Sequence, residues 1–344
     1  MRSLLHAAFI AAFAPTAAAA QWTAIPSGTD AEFRGLHAAG QAVWAAGARG
    51  TFARSTDGGR SWNADTIPGA TALFLVDVHA VDASAAYILG THFDGGLSRI
   101  YKTADGGASW TLQLEVDEPG TFFDGLAFWD DRAGIAFGDP VGGSLVIVVT
   151  TDGGETWRPV PASALPEPLA GEAGFAASGS AVTTAAPGSA WIGTGGGATA
   201  RVYATHDRGT TWSVADTPLP ALPTAGIFGI GFGDRGNGIA VGGDYQQPTA
   251  DAPNVLVSSD SGGSWTLAAA SRPAGVRYGV TVVPGSTVAV AVGPSGSGFS
   301  RDFGATWTPI DTVHVNTVYF DAPESGWAAG PDGRLLRWTG PPLR

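Results

Sequence analysis

Six aspartates recur along the chain inside one pattern, Ser/Thr-x-Asp-x-Gly-x-x-Trp: Asp57, Asp105, Asp152, Asp207, Asp260 and Asp302. Carboxylates placed so regularly are tempting as sites, calcium ligation among them. Each pattern supplies a single carboxylate, however, too few for the oxygen cage that calcium takes. The pattern suits a hairpin turn better. Aspartate accepts backbone N–H bonds, glycine supplies a positive φ, and tryptophan opens the return strand and wedges beneath it. These six aspartates are read as structural.

Chemistry has to be sought elsewhere. The candidate binding residues are Arg34, Asp77, His79, Asp124, Asp139, Glu172, Arg201, Asp244, Tyr245, Arg277, Tyr278 and Asn316. Charges of both signs beside aromatics suit recognition of a peptide or a small polar ligand. The same groups could instead satisfy one another and hold water in a channel. No metal is expected, because His37, His79, His92, His206 and His314 show no H-x-x-x-H spacing. With no cysteine in the chain, thiolate ligands and thiol nucleophiles are excluded. No G-x-S-x-G elbow is present, and the Gly195–Gly197 run lacks the Lys-Ser/Thr of a phosphate loop. No catalytic residue and no cofactor is assigned.

The elements that must position these residues follow from the repeat. Successive pattern aspartates are 48, 47, 55, 53 and 42 residues apart, the length of a four-stranded propeller blade with variable loops. Before each pattern runs a strand, such as Arg201-Val-Tyr-Ala-Thr205, and before that a segment ending in glycine, such as Val43-Trp-Ala-Ala-Gly47 or Ile239-Ala-Val-Gly242. Each unit reads as strand A, strand B ending in glycine, strand C, the turn, then strand D. Residues 315–338 supply A, B and C of a seventh unit, and Gln21-Trp-Thr-Ala-Ile25 resembles a free D strand. The expectation is an all-β, seven-bladed propeller over residues 21–344, its last blade closed by the N-terminal strand, which leaves no interior sheet edge unpaired. A β-helix would repeat at shorter intervals, and a sandwich would not repeat one turn six times.

In such a fold the loops into strand A and those joining B to C converge on the channel mouth, opposite the aspartate turns. Aligning A strands on Leu36, Val78, Leu126, Ile230, Val280 and Val318 brings Arg34, Val76, Asp124, Phe228, Tyr278 and Asn316 to one equivalent position. Asp77, His79 and Arg277 lie beside it. The B–C loops add His92, Asp94, Asp139, Arg201, Asp244 and Tyr245.

Composition agrees with an aromatic-rich β fold: 44% hydrophobic and only 14% charged residues, with 51 glycines and 12 tryptophans in 344. The N-terminus carries Arg2, an apolar run from Leu4 to Phe13, and Ala18-Ala-Ala20 before Gln21, the layout of a signal peptide over 1–20. A secreted or periplasmic location after cleavage near Ala20 is expected, and no later stretch is apolar enough to span a bilayer. The net charge is −12, and removing Arg2 leaves 17 of 18 basic residues against 30 acidic ones, or −13. Such a surface repels nucleic acid and anionic lipid. A monomer is expected.

The six boxes, the glycine-ended B strands and the split last blade resemble the BNR/Asp-box repeat superfamily. Segments such as Phe122-Phe-Asp-Gly-Leu-Ala-Phe-Trp129, Gly171-Glu-Ala-Gly-Phe-Ala-Ala-Ser178 and Gly242-Gly-Asp-Tyr245 look like a bacterial branch of the photosystem II stability/assembly factor-like proteins. That resemblance implies a non-enzymatic scaffold gripping a membrane-protein segment through a basic patch. The acidic charge here departs from it, so the expected partner is a peptide or an envelope-protein segment. A more distant resemblance is to sialidases, which implies glycoside hydrolysis with an arginine cluster, and a carbohydrate partner. Arg34 stands where their first arginine would, with Glu172, Arg201, Arg277 and Tyr278 as companions. Gly35 and Leu36, however, replace the Ile-Pro of their motif. A third reading, an extracellular structural or adhesion module, draws on the proline-rich stretches 159–168 and 218–223 alone.

Overall fold

The computed structural model describes residues 21–268 and 272–344. The expected signal peptide lies outside the described residues.

Seven four-stranded antiparallel sheets form a β-propeller. The chain begins with β1 (Trp22–Ile25). Blade 1 is β2 (Phe33–Ala39), β3 (Ala42–Gly47), β4 (Thr51–Ser55) and β5 (Asn63–Thr66). Blade 2 is β6 (Phe74–Ala80), β7 (Ala86–Thr91), β8 (Leu97–Thr103) and β9 (Thr111–Asp117). Blade 3 is β10 (Phe123–Phe128), β11 (Gly134–Val141), β12 (Ser144–Thr150) and β13 (Arg158–Pro159). Blade 4 is β14 (Val182–Ala185), β15 (Ser189–Gly193), β16 (Arg201–Thr205) and β17 (Ser213–Asp216). Blade 5 is β18 (Ala225–Phe232), β19 (Gly238–Asp244), β20 (Val255–Ser258) and β21 (Thr266–Leu267). Blade 6 is β22 (Gly279–Val282), β23 (Ala289–Gly293), β24 (Gly296–Ser300) and β25 (Thr308–Asp311). Blade 7 is β26 (Thr317–Ala322), β27 (Ser325–Ala329) and β28 (Leu335–Trp338), completed by β1.

The closure is as the repeat arithmetic requires. β1 runs antiparallel to β28, with Trp22 opposite Trp338 and Ile25 opposite Leu335. Trp22 packs edge-on against Trp338 at 5.0 Å and Phe320 at 5.9 Å. Each pair of neighbouring blades shares a buried cluster, such as Trp44, Phe52, Leu75, Val78 and Ile88 of blades 1 and 2. The glycines that end the B strands have a packing cause. A Cβ on Gly47 would sit 2.1 Å from the Glu32 carbonyl oxygen, and one on Gly242 would sit 1.8 Å from that of Gly226, so the chain entering strand A lies directly against the end of strand B.

The aspartate turns clip each blade and reach its neighbour. In blade 3, Asp152 accepts bonds from Thr150 Oγ1 (2.9 Å), the Thr156 amide (2.9 Å) and Thr156 Oγ1 (2.6 Å), while the Gly154 amide donates to Thr150 Oγ1 at 2.9 Å. All six turns repeat this arrangement around their aspartate. These bonds, above all from the hydroxyl four residues on, hold the carboxyls of Asp105, Asp152 and Asp260 down at about 2 and that of Asp57 lower still. Their carbonyls accept from the preceding blade: Tyr87 Oη to Gly153 (2.6 Å), Trp191 Nε1 to Ser261 (2.8 Å) and Trp327 Nε1 to Gly58 (3.1 Å).

Candidate functional site at the channel mouth

Arg34, Val76, Asp124 and Phe228 sit where the A–B register shifts, each at a β-bulge. A bulge turns a strand residue out of the alternating pleat, and this is what aims these side chains at the mouth. The glycine after the bulge has a purpose as well: a Cβ on Gly35 would meet the Asp77 backbone at 2.8 Å, so neighbouring A strands approach there too closely for a side chain.

The mouth is covered by a strap, residues 171–181, which precedes blade 4. Ala173 exchanges amide–carbonyl bonds with Gly195 at 2.9 and 3.0 Å, and the Gly174 amide donates to Asp139 Oδ1 at 2.8 Å. Farther along, the Ala176 carbonyl accepts from Arg34 Nη1 (2.9 Å), the Gly179 amide donates to the Arg34 carbonyl (3.1 Å), and Ser178 Oγ donates to the Tyr278 carbonyl (2.8 Å). The Ile230 amide donates to the Ser180 carbonyl at 2.7 Å. One loop thus ties blades 1, 3, 5 and 6 together across the axis.

Around the strap runs an aromatic rim. On the side of blades 1 to 3, Phe93 packs against Phe74 (5.0 Å) and Phe122 (5.8 Å), with the Arg34 guanidinium over Phe74 at 4.7 Å and Phe93 at 5.1 Å. Glu32 accepts from Arg34 Nε at 3.1 Å. On the far side, Phe228 contacts Phe175 (4.4 Å), Tyr278 (5.9 Å) and Tyr245 (6.4 Å). Burial raises the Tyr278 phenol above its ordinary value, with Arg34 acting against that rise. Phe93 and Tyr245 are 51% and 45% exposed, unusual for large aromatics, and they stand on blades 2 and 5.

Several residues expected on the open face lie inside. Asp77 is buried, its two oxygens held by the Val78 and Leu126 amides at 2.8 Å each, so it joins blade 2 to blade 3. Glu172 and Arg201 form a buried ion pair, with Thr194 Oγ1 (2.6 Å), the Leu169 amide (2.8 Å) and Tyr203 Oη (3.1 Å) also donating to the carboxylate. They anchor the base of the strap. Arg201 starts strand C of blade 4 rather than lying in its B–C loop. Arg277 is buried against the carbonyls of Gly296 and Ala274, and burial lowers it to about 10. Asn316 donates to the Phe33 carbonyl (3.0 Å) and Glu32 (3.1 Å), joining blade 7 to blade 1. His79 faces the channel below the strap, 4.5 Å from the His37 ring. Asp244 caps its own loop through the Gln246 amide at 2.9 Å.

Asp124 and Asp139 are brought together under the strap. Asp124 is 1% exposed with no ordinary hydrogen bond to either oxygen. Burial first, then the charge of Asp139, pushes its carboxyl well above the usual range, only partly offset by the Ala176 amide. Burial lifts Asp139 to about 6 against the Gly174 hydrogen bond. Both carboxyls lie against the strap: a Cβ on Gly174 would be 2.4 Å from Asp124 Oδ2. Of Asp124, Asp139, Glu172 and Asp244, the carboxylates a glycosidase could use here, Glu172 is neutralised in its ion pair and Asp124 is sealed. Among the described residues no group of three or more His, Asp or Glu is placed to hold a metal, and no helix is long and apolar enough to cross a membrane.

Sequence reasoning overlooked Phe74, Phe93, Phe122, Phe175 and Glu32. Phe93 lies between His92 and Asp94, both singled out, and its position in a B–C loop was the available signal.

The fold and mouth define a class, a single seven-bladed β-propeller with a strapped channel. No protein-family profile matches the chain, and no curated protein matches it. Among solved structures it is similar to YCF48 bound to D1 peptide, with a TM-score of 0.66 at 16% identity over 93% of this chain and 97% of that one. It is likewise similar to YCF48 from Cyanidioschyzon merolae, with a TM-score of 0.67 at 15% identity over 93% of this chain and 99% of that one. A GH74 xyloglucanase from Xanthomonas campestris aligns at a TM-score of 0.61 and 14% identity, covering 92% of this chain but 53% of that one. At these identities the likeness is one of fold.

Proposed function

We propose that this chain is an exported, non-enzymatic propeller that binds a peptide or protein segment on the face bearing the strap. The observation that carries the reading is the pair of exposed aromatics, Phe93 and Tyr245, on blades 2 and 5, with the Arg34 guanidinium stacked beside the first. Aromatic anchors with an arginine between apolar faces are the groups that dominate protein recognition. The strap makes the floor of this site, so the segment lies across the rim rather than entering the channel. The likeness to a propeller that holds a peptide supports the reading. The N-terminal sequence supports export, and on that reading the partner is one of the cell envelope or outside it.

The test is retention of envelope-fraction proteins by the wild type and by a Phe93→Ser/Tyr245→Ser variant, which keeps every donor and acceptor of the strap's hydrogen bonds. Specific partners that the variant no longer retains are expected. Recovery of the same proteins by both would refute the rim as the site. Hydrolysis on a glycan panel that Asp139→Asn abolishes would refute the non-enzymatic reading.

A further inference from the structure

We propose that the half of the channel below the strap is a second binding site, open on the aspartate-turn face, that takes a small uncharged polyol. It is independent of the rim. The strap residues Gly179 and Ser180 and the Asp77 carboxylate roof a cavity of about 310 Å³, whose other end reaches the exposed Pro284. That volume is at the low end of the range for small-molecule pockets.

Each blade turns one A-strand residue toward the axis at the level of this cavity, and the ring they make is lopsided. Tyr319, His37 and His79 are neighbours around it, with ring centroids 4.4 and 4.5 Å apart and tilts of 42° and 36°; in blade 3 the equivalent residue is the small Ala127, and Phe128 beside it lies 5.0 Å from the His79 ring. Their faces are spent on one another, which leaves ring edges bearing nitrogen and hydroxyl groups for the channel. On the other side stand Thr183, Gly231 and Thr281, small residues that leave the space open.

Several of the polar groups there are unspent. His37 Nδ1 accepts the Ala80 amide at 3.2 Å, which leaves the ring proton on Nε2 as a donor and removes this histidine as a metal ligand in that state. Among the described residues no hydrogen bond reaches the His79 ring, the Tyr319 hydroxyl or the hydroxyls of Thr183 and Thr281. No Lys or Arg lines the cavity, and both oxygens of its one carboxylate, Asp77, are held by backbone amides. Burial keeps His37 neutral, down at about 4. Burial likewise pushes the Asp77 carboxyl well above its ordinary range, so the lining favours neutral groups and has no strong hold on an ion. Groups that both donate and accept, set between the apolar walls of Leu36, Val282 and Phe232, match a molecule whose hydroxyls do the same and whose C–H faces are apolar.

Saturation-transfer NMR and titration calorimetry of the full chain with glycerol, erythritol, myo-inositol and D-glucose test the proposal. Saturable binding of at least one polyol is expected. Gly231→Val fills the cavity at a position where an added Cβ meets only Val282 Cγ2 within 3.4 Å, and should abolish binding. Thr183→Val/Thr281→Val keeps shape while removing two hydroxyls, and should weaken binding by about tenfold or more. Phe93→Ser/Tyr245→Ser should bind polyol as the wild type does, whatever becomes of the rim. Absence of saturable binding by any of the four, showing that the cavity holds water only, would overturn the proposal. So would wild-type affinity in both channel variants.

Discussion

Asp139→Asn should make the protein more stable at neutral pH than the wild type and erase part of its pH dependence. Burial raises the Asp139 carboxyl from 3.8 to about 6. Below the lower value it is protonated in both folded and unfolded chains and costs nothing. Between the two values the folded chain keeps a proton that the unfolded chain releases, so stability falls as pH rises, and above about 6 the penalty is complete. At about 1.4 kcal/mol per tenfold change in proton affinity, the displacement amounts to at most about 3 kcal/mol, because the side chain is not wholly cut off from water. The asparagine carbonyl can still accept the Gly174 amide, so the strap contact survives, and the variant also relieves the Asp124 carboxyl of its charged neighbour. Urea denaturation of both proteins at several pH values from about 4 to about 7 isolates the effect as a difference, since the aspartate turns titrate alike in each. The variant's advantage should be near zero at the acid end and approach its limit above about pH 6. A flat difference, or one that favours the wild type as pH rises, would refute the claim that the strap desolvates this carboxyl.

Two further substitutions test the framework. Thr150→Val keeps the shape of a buried side chain but strands the Gly154 amide, and should lower the denaturation free energy by about 1–3 kcal/mol; no loss would show that the turn's hydroxyl is not structural. Glu172→Gln leaves the Arg201 charge buried without its partner, and should cost about 3–5 kcal/mol while raising hydrogen exchange of the strap amides around Ala173; wild-type protection of those amides would separate the pair from the strap.

The architecture was legible because its signals are local. Each aspartate turn closes within eight residues, and the bonds that its carboxylate and its Ser/Thr hydroxyl make come from chain neighbours alone. Blade 4 was the weak point. Its A strand, Val182–Ala185, has no bulge residue with a large side chain, and the strap's small residues ahead of it carry no strand pattern. The candidate face was legible only as a list. Arg34, Tyr245 and Tyr278 do reach the rim, whereas Asp77, Glu172, Arg201, Arg277 and Asn316 were chosen for the same reason, polarity near a predicted loop, and turn inward to join blades or anchor the strap.

Sequence alone thus determined the seven blades, the turns that clip them and the N-terminal strand that closes the ring, because each is set by residues whose partners are near in sequence or recur with the repeat. Only the tertiary structure decided which polar groups face the rim and the channel. That depends on the strap at 171–181, whose bonds to Arg34 and Tyr278 span 142 and 100 residues and which closes one end of the channel while leaving the other open. Contacts between segments so far apart leave no periodic trace, since they obey the shape of the assembled ring and not the spacing of residues along the chain.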